Sequence, residues 1–217
     1  MTVEEIKEKI KNNETVSFDK KVLVLASGSI SRAKIMEKAK LSFIAIPSLA
    51  DEEGIKKAFG EVKTEEQAKE YVEKLSFEKA VWLSKRVKNA VVLAADTIAF
   101  YKDEILEKPK DEKDARRIFN TLSNSTHIAL TGVCIIDGEK AENFVKVSPV
   151  RMLEITKELQ DTLVKDKLTY TYAGGYCVDG NLGDKAIVLP EDFNNVMGLP
   201  IEDIIIRLRE EGYDFSK

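Results

Sequence analysis

VLVLASGSISRAKIM, Val22–Met36, is the stretch around which the rest of the chain is organised. Val22 to Leu25 are apolar in succession and read as a buried strand, too short for a globular helix. Ala26, Ser27, Gly28 and Ser29 follow, small residues that let a backbone turn tightly and approach a ligand. Ser29 is a suitable N-cap for a helix over about Ile30 to Lys38. That helix opens with Arg32 and Lys34 and has no acid before Glu37. A helix N-terminus carries roughly half a positive charge and favours carboxylates, so two early cations are a conflict that a bound anion relieves. Strand, small-residue loop and cationic helix start form the layout of a phosphate cradle. The spacing is neither a P-loop nor a dinucleotide fingerprint, and an ordinary βα turn with two solvated cations has the same pattern.

The chain has 217 residues, enough for one substantial domain or two small lobes sharing a core. At 43% hydrophobic and 33% charged residues the composition is that of a soluble globular protein. A net charge of −4 leaves no basic surplus for general nucleic-acid binding, so an anionic substrate needs locally gathered cations. The two cysteines, Cys134 and Cys177, form neither a metal spacing nor a disulfide framework, which fits a reducing cytoplasm. No run approaches the roughly 18 apolar residues of a membrane span, and MTVEEIKEKIKNN at the start is charged throughout, with no signal-peptide core.

Residues 1–20 read as an N-terminal extension holding a short amphipathic helix with Val3, Ile6 and Ile10 on one stripe. Leu41 to Ser48 is expected to form a second strand closed by Pro47. Asp51-Glu52-Glu53 then opens a polar stretch that reads as a solvated loop. Thr64 to about Val87 is the clearest helix, with a Thr64/Gln67 capping box. Lys79 lies on its apolar stripe, four residues after Leu75 and four before Leu83; either its stem snorkels or its tip reaches a cleft. Ala90 to Tyr101 is a strand interrupted at Asp96, which follows six apolar residues and needs a partner, a metal or an opening to solvent. Lys102 to Glu104 reads as a hairpin turn, Lys108-Pro109 as a loop, and Asp111 to Leu122 as a helix facing Ala115, Ile118, Phe119 and Leu122 inward. His127 to Asp137 is a further strand in which Thr131-Gly132 marks a bulge or a close backbone approach. The single histidine, His127, is read as structural. Ala141 to Ile155 is the return strand and Thr156 to Lys165 a short helix. Ala173 to Tyr176 and Asn194 to Pro200 are loop signals, and the latter precedes a helix ended by Gly212. Alternating strands and helices followed by clustered strands imply an α/β fold with a mixed sheet.

LASGSISR (Leu25 to Arg32), Asp51-Glu52, FEKA (Phe77 to Ala80), AADT (Ala94 to Thr97), EKPKD (Glu107 to Asp111), Thr131-Gly132, AGGY (Ala173 to Tyr176) and NVMGLP (Asn195 to Pro200) occur in that order. Together they resemble the Maf family, nucleotide pyrophosphatases once described as septum-formation inhibitors. The resemblance implies an elongated mixed-sheet fold, similar to that of inosine triphosphatases, over residues 21–217, with two lobes and a central cleft. It implies hydrolysis of a nucleoside triphosphate to the monophosphate and pyrophosphate with a divalent metal, Mg²⁺ or Mn²⁺, and family members of this kind often dimerise. On that reading Asp96 is the general base and Glu52 a second carboxylate, both able to hold the metal. Ser27, Gly28 and Ser29 hold phosphate oxygens, and Arg32, Lys79 and Lys108 complete a clamp on the leaving group. Positions 31, 97 and 179 match those that set base specificity in the family; here they are Ser31, Thr97 and Asp179. The pyrimidine-type branch usually has arginine at the first and glutamine at the last, and Ile30 stands where the family has proline. Asp179 could accept hydrogen bonds from a guanine-type edge, so both a dTTP/UTP and a 7-methyl-GTP specificity are open. The alternative to an enzyme is a non-catalytic nucleotide-binding regulator of cell division.

Overall fold

The computed structural model describes residues 1–217, the side chain of Asp184 excepted. The first helix, α1 (Val3–Lys11), is capped by a Thr2/Glu5 box and buries Ile6 and Ile10. Strand β1 follows at Val16–Leu25, so pairing begins within the segment read as an extension rather than at Val22. Helix α2 spans Ile30–Lys38, as the Ser29 cap predicts. The strand expected over Leu41 to Ser48 shrinks to β2, Ile44–Ala45. Leu41 turns into the core instead, and Pro47 has no N–H to continue the ladder.

The polar stretch after Asp51 is not a loop. Asp51 Oδ1 accepts from the Gly54 amide at 2.9 Å and starts helix α3, Glu52–Phe59. Helix α4 (Glu65–Ser84) carries the Thr64/Gln67 box and leads into β3, Val87–Tyr101. That strand is continuous; Asp96 does not break it. Lys102, at φ 57°, turns it into β4, Glu104–Leu106. Helix α5 (Glu112–Leu122), β5 (Thr126–Asp137) and β6 (Lys140–Arg151) complete the sheet. The remaining helices are α6 (Lys157–Leu163), α7 (Gly183–Ala186), α8 (Phe193–Val196) and α9 (Ile201–Glu210).

The sheet has six strands in the order β2-β1-β3-β5-β6, with β4 beside β3. β1 pairs in parallel with β2 and β3; the other pairs are antiparallel. The sheet is therefore mixed, as the early alternation and later clustering of strands imply. On one edge of β3 the ladder to β1 ends at Leu25↔Leu93 and the ladder to β4 begins at Ala99↔Leu106. Residues 94–98 lie in the gap between a parallel and an antiparallel neighbour. A crevice beyond the carboxyl end of a strand, where the sheet changes direction, is where open α/β sheets place ligands.

Side chains alternate across β3. Val92 and Ala94, then Ile98 and Phe100, pack on the α4 face. Val91, Leu93 and Ala95 pack against α2 and α9, and Ala99 against α5, on the other face. Asp96 and Thr97 are half-buried between these clusters, one on each face. Thr131 and Gly132 are their cross-strand partners. A Cβ at Gly132 would lie 2.3 Å from the Val72 carbonyl oxygen, so the motif marks a close approach of α4 and not a bulge. Gly132 is paired with Asp96, and its missing side chain lets α4 lie close over the sheet beside that carboxylate.

Candidate active site

The turn after β1 is held by its own side chains. Ser27 Oγ accepts from the Ser29 amide at 3.1 Å, and Ser29 Oγ accepts from the Arg32 amide at 3.3 Å. The Arg32 guanidinium folds back over this turn. Its Nε donates to the Gly198 carbonyl at 2.8 Å, Nη1 to Ser27 Oγ at 3.3 Å and Nη2 to Thr97 Oγ1 at 3.1 Å. A guanidinium has five N–H groups, so two remain for an anion. Burial lowers the Arg32 pKa, and the nearby Asp96 and Glu52 charges oppose that.

Across the strand, Lys79 settles the choice left by its place on the α4 stripe. The residue is 8% exposed, and its ammonium pairs with Asp96 and, at 3.1 Å, with Glu52. The tip meets two carboxylates instead of snorkelling to water. Asp96 is thereby partnered, as its apolar setting requires. Glu52 arrives from the first turn of α3, a helix with no buried residue.

Lys108 does not join this cluster. It is exposed and forms no ion pair among the described residues. Its loop lies against the AGGY segment, since the Glu107 carbonyl accepts from the Gly174 amide at 3.1 Å. Glu107 in turn pairs with Lys56 of α3. Ser31 faces the Tyr172 phenol, whose pKa it acts to lower; burial, Cys177 and Asp179 outweigh that and leave the phenol raised. Ser31 and Asp179 thus both act on the titration of one tyrosine, while Thr97 belongs to the Arg32 contacts. Tyr172, Thr131, Asn195 and Gly198 have no role in the sequence reading, although the last three lie in motifs it singles out. His127 is structural in its contacts: Nε2 lies 2.6 Å from the Tyr176 hydroxyl, and burial pushes the imidazole down to about 4.

Residues 22–211 match the family described as Maf-like protein. The chain belongs to the Maf family. A dTTP/UTP pyrophosphatase of Acholeplasma laidlawii is 33% identical over 190 residues, covering 87% of this chain and 96% of the relative. One from Thermosipho africanus is 34% identical over 197 residues, covering 90% and 96%. One from Pyrococcus furiosus is 32% identical over 197 residues, covering 91% and 98%. The Maf match begins after α1 and part of β1, and it includes both faces of the Asp96–Thr97 step.

Proposed function

We propose that this chain is a nucleoside triphosphate pyrophosphatase that releases the monophosphate and pyrophosphate, the kind of activity for which its relatives are named. The observation that carries the reading is the Lys79 ammonium drawn to both Asp96 and Glu52, one residue along the strand from the Thr97–Arg32 contact at the cradle turn. The oxygen of a water attacks the α-phosphorus, and the bond from that phosphorus to the α–β bridging oxygen breaks. Pyrophosphate leaves with the electron pair, and Asp96 takes the water's proton. Ser27, Gly28 and Ser29 orient phosphate oxygens, with Arg32 and Lys79 stabilising the charge that develops on the leaving group. Lys108, exposed and outside this cluster, is on this reading a further cation for the leaving group once substrate is bound.

A divalent metal, Mg²⁺ or Mn²⁺, fits the donor set. Glu52 and Asp96 are oxygen ligands already drawn to one cation, and Mg²⁺ takes one or two carboxylates with substrate phosphates and water. No group of three or more His, Cys, Asp or Glu is gathered among the described residues, which suits such a substrate-shared ion better than a protein cage. When bound, the metal would supply charge neutralisation on the polyphosphate. The two carboxylates here pair with Lys79 and lie in the field of Arg32, so a triphosphate brings further negative charge that this extra cation would offset.

The relatives' names weigh toward dTTP and UTP, whereas Ser31 and Asp179 weigh toward a guanine-type base. Two free, buried cysteines support a reducing compartment such as the cytoplasm. The family resemblance supports a homodimer, which sedimentation tests. The deciding assay is pyrophosphate release from a triphosphate panel with Mg²⁺. Turnover of a nucleoside triphosphate is the expected result; release from none of them would remove the enzyme reading. A clear preference for UTP or dTTP over 7-methyl-GTP would remove the guanine-type specificity.

A further inference from the structure

Thr131 is fully buried and faces away from the carboxylates, on the same side of the sheet as Thr97. Its hydroxyl donates to the Asn195 carbonyl at 3.1 Å and lies 3.0 Å from Thr97 Oγ1. A hydroxyl has one proton, so with that of Thr131 committed to Asn195, the Thr97 hydroxyl must donate to Thr131. The alternative acceptor for Thr97, the Gly198 carbonyl, is more distant at 3.4 Å. Thr97 then presents its lone pairs to Arg32 Nη2. The bonds run one way, from Arg32 through Thr97 and Thr131 to Asn195.

The far end of this chain is itself fixed. Asn195 is 1% exposed, and its Nδ2 donates to Ser148 Oγ at 2.8 Å. Its carbonyl also accepts from the Gly198 amide at 2.8 Å, and the Gly198 carbonyl receives Arg32 Nε. Gly198 holds φ at 104°, and a Cβ there would lie 3.3 Å from Thr97 Oγ1 and 3.5 Å from Arg32 Nε. Two edges of the guanidinium are therefore referred back to one buried carbonyl.

We propose that Thr131 is a positioning residue, orienting the Arg32 guanidinium over the cradle turn by fixing the direction of the Thr97 hydroxyl; this rests on the pyrophosphatase reading above. Without the Thr131 oxygen, the Thr97 proton turns to the Gly198 carbonyl and competes there with Arg32 Nε. Thr131→Val keeps the shape and removes the oxygen.

The test is a double-mutant cycle on the full chain between Thr131→Val and Arg32→Ala. It is read as kcat/KM with the preferred triphosphate and as Kd for its non-hydrolysable α,β-methylene analogue. Thr131→Val alone should lower kcat/KM and weaken Kd by about tenfold, the worth of one good hydrogen bond. On the Arg32→Ala background it should cost less than about twofold, because interacting residues are non-additive. Thr131→Ser, which keeps the hydroxyl, should restore both readouts. Wild-type behaviour of Thr131→Val, or losses that multiply across the cycle, would overturn the positioning role. If Thr131→Val does not fold, Thr131→Ala, which also removes the oxygen, enters the cycle in its place. Absence of turnover in the wild type would defeat the pyrophosphatase reading, while Kd would still decide the role of Thr131.

Discussion

Asp96 and Glu52 reach the same ammonium from two different kinds of scaffold. Asp96 sits in the middle of β3, between the buried Ala95 and the half-buried Thr97, and has ladder partners along β5. Its side chain is 14% exposed. Glu52 stands at the start of α3, which buries no residue and rests on the half-buried Ile55 and Phe59, the latter 5.1 Å from the Tyr71 ring. Its side chain is 52% exposed. Local opening follows buried contact, so α3 separates from the sheet at far lower cost than β3 loses its place. On the proposed reading, the site joins a fixed acid to one carried by a helix with no buried residue, a division suited to admitting a large polyanion and then completing its surroundings.

The strongest way to sharpen that contrast is to neutralise each acid in turn. Asp96→Asn should abolish pyrophosphate release, a loss of about ten-thousandfold, near the upper end of what a positioned proton acceptor contributes. Glu52→Gln should cost about a hundredfold, the lower end of that range, with part of the loss recovered at high Mg²⁺. Equal losses, measured by kcat/KM across a Mg²⁺ series, would break the distinction between the fixed and the delivered acid.

Strand β5, the ladder partner of the strand that holds Asp96, carries a buried histidine that makes it sensitive to acid. Burial holds His127 of β5 at about 4 in the folded chain, against 6.5 as its ordinary value. Between those values the unfolded chain binds a proton that the folded one does not, so stability is complete above pH 6.5 and falls as the pH drops toward 4. The full shift corresponds to roughly 3 kcal/mol. His127→Gln, which does not titrate, should flatten this limb in thermal melts between pH 4 and 7. An unchanged limb would mean that other groups set the acid stability.

What was legible in the chain follows the same division. The rigid half announces itself through pattern: the apolar run into Asp96 reads as a strand, the stripe carrying Lys79 as a helix and Ser29 as a cap, and the folded chain has all three, although the same pattern leaves Lys79 between two readings and wrongly interrupts the strand at Asp96. Helix α3 does not announce itself. Its residues are mostly charged, Gly54 lowers its propensity, and only Ile55 and Phe59 mark its inner side, so the sequence reads as a loop. Lys20 and Lys21 likewise hide the early start of β1, because an exposed strand segment has no apolar signature. The Thr97–Thr131–Asn195 contacts join positions 34 and 64 residues apart. Each lies in a recognisable motif, but spacing along the chain carries no information about which hydroxyl meets which.

The smallest expected effect tests what keeps α3 in place. Lys56 pairs with Glu107, and both side chains are nearly half exposed, at 46% and 47%. Exposed pairs contribute less than about 1 kcal/mol, so Lys56→Ala should leave global thermal stability nearly unchanged. The same small energy matters more to a helix with no buried residue. If loss of the pair lets α3 open for about half the time, the apparent affinity for the metal-triphosphate falls about twofold, in proportion to the closed fraction. Added salt screens the wild-type pair and should erase the difference between wild type and variant. Hydrogen exchange should quicken in the α3 amides and not in those of β3. A variant that instead lost global stability, with α3 and β3 exchanging together, would place Glu52 on the same rigid body as Asp96 and remove the division between them.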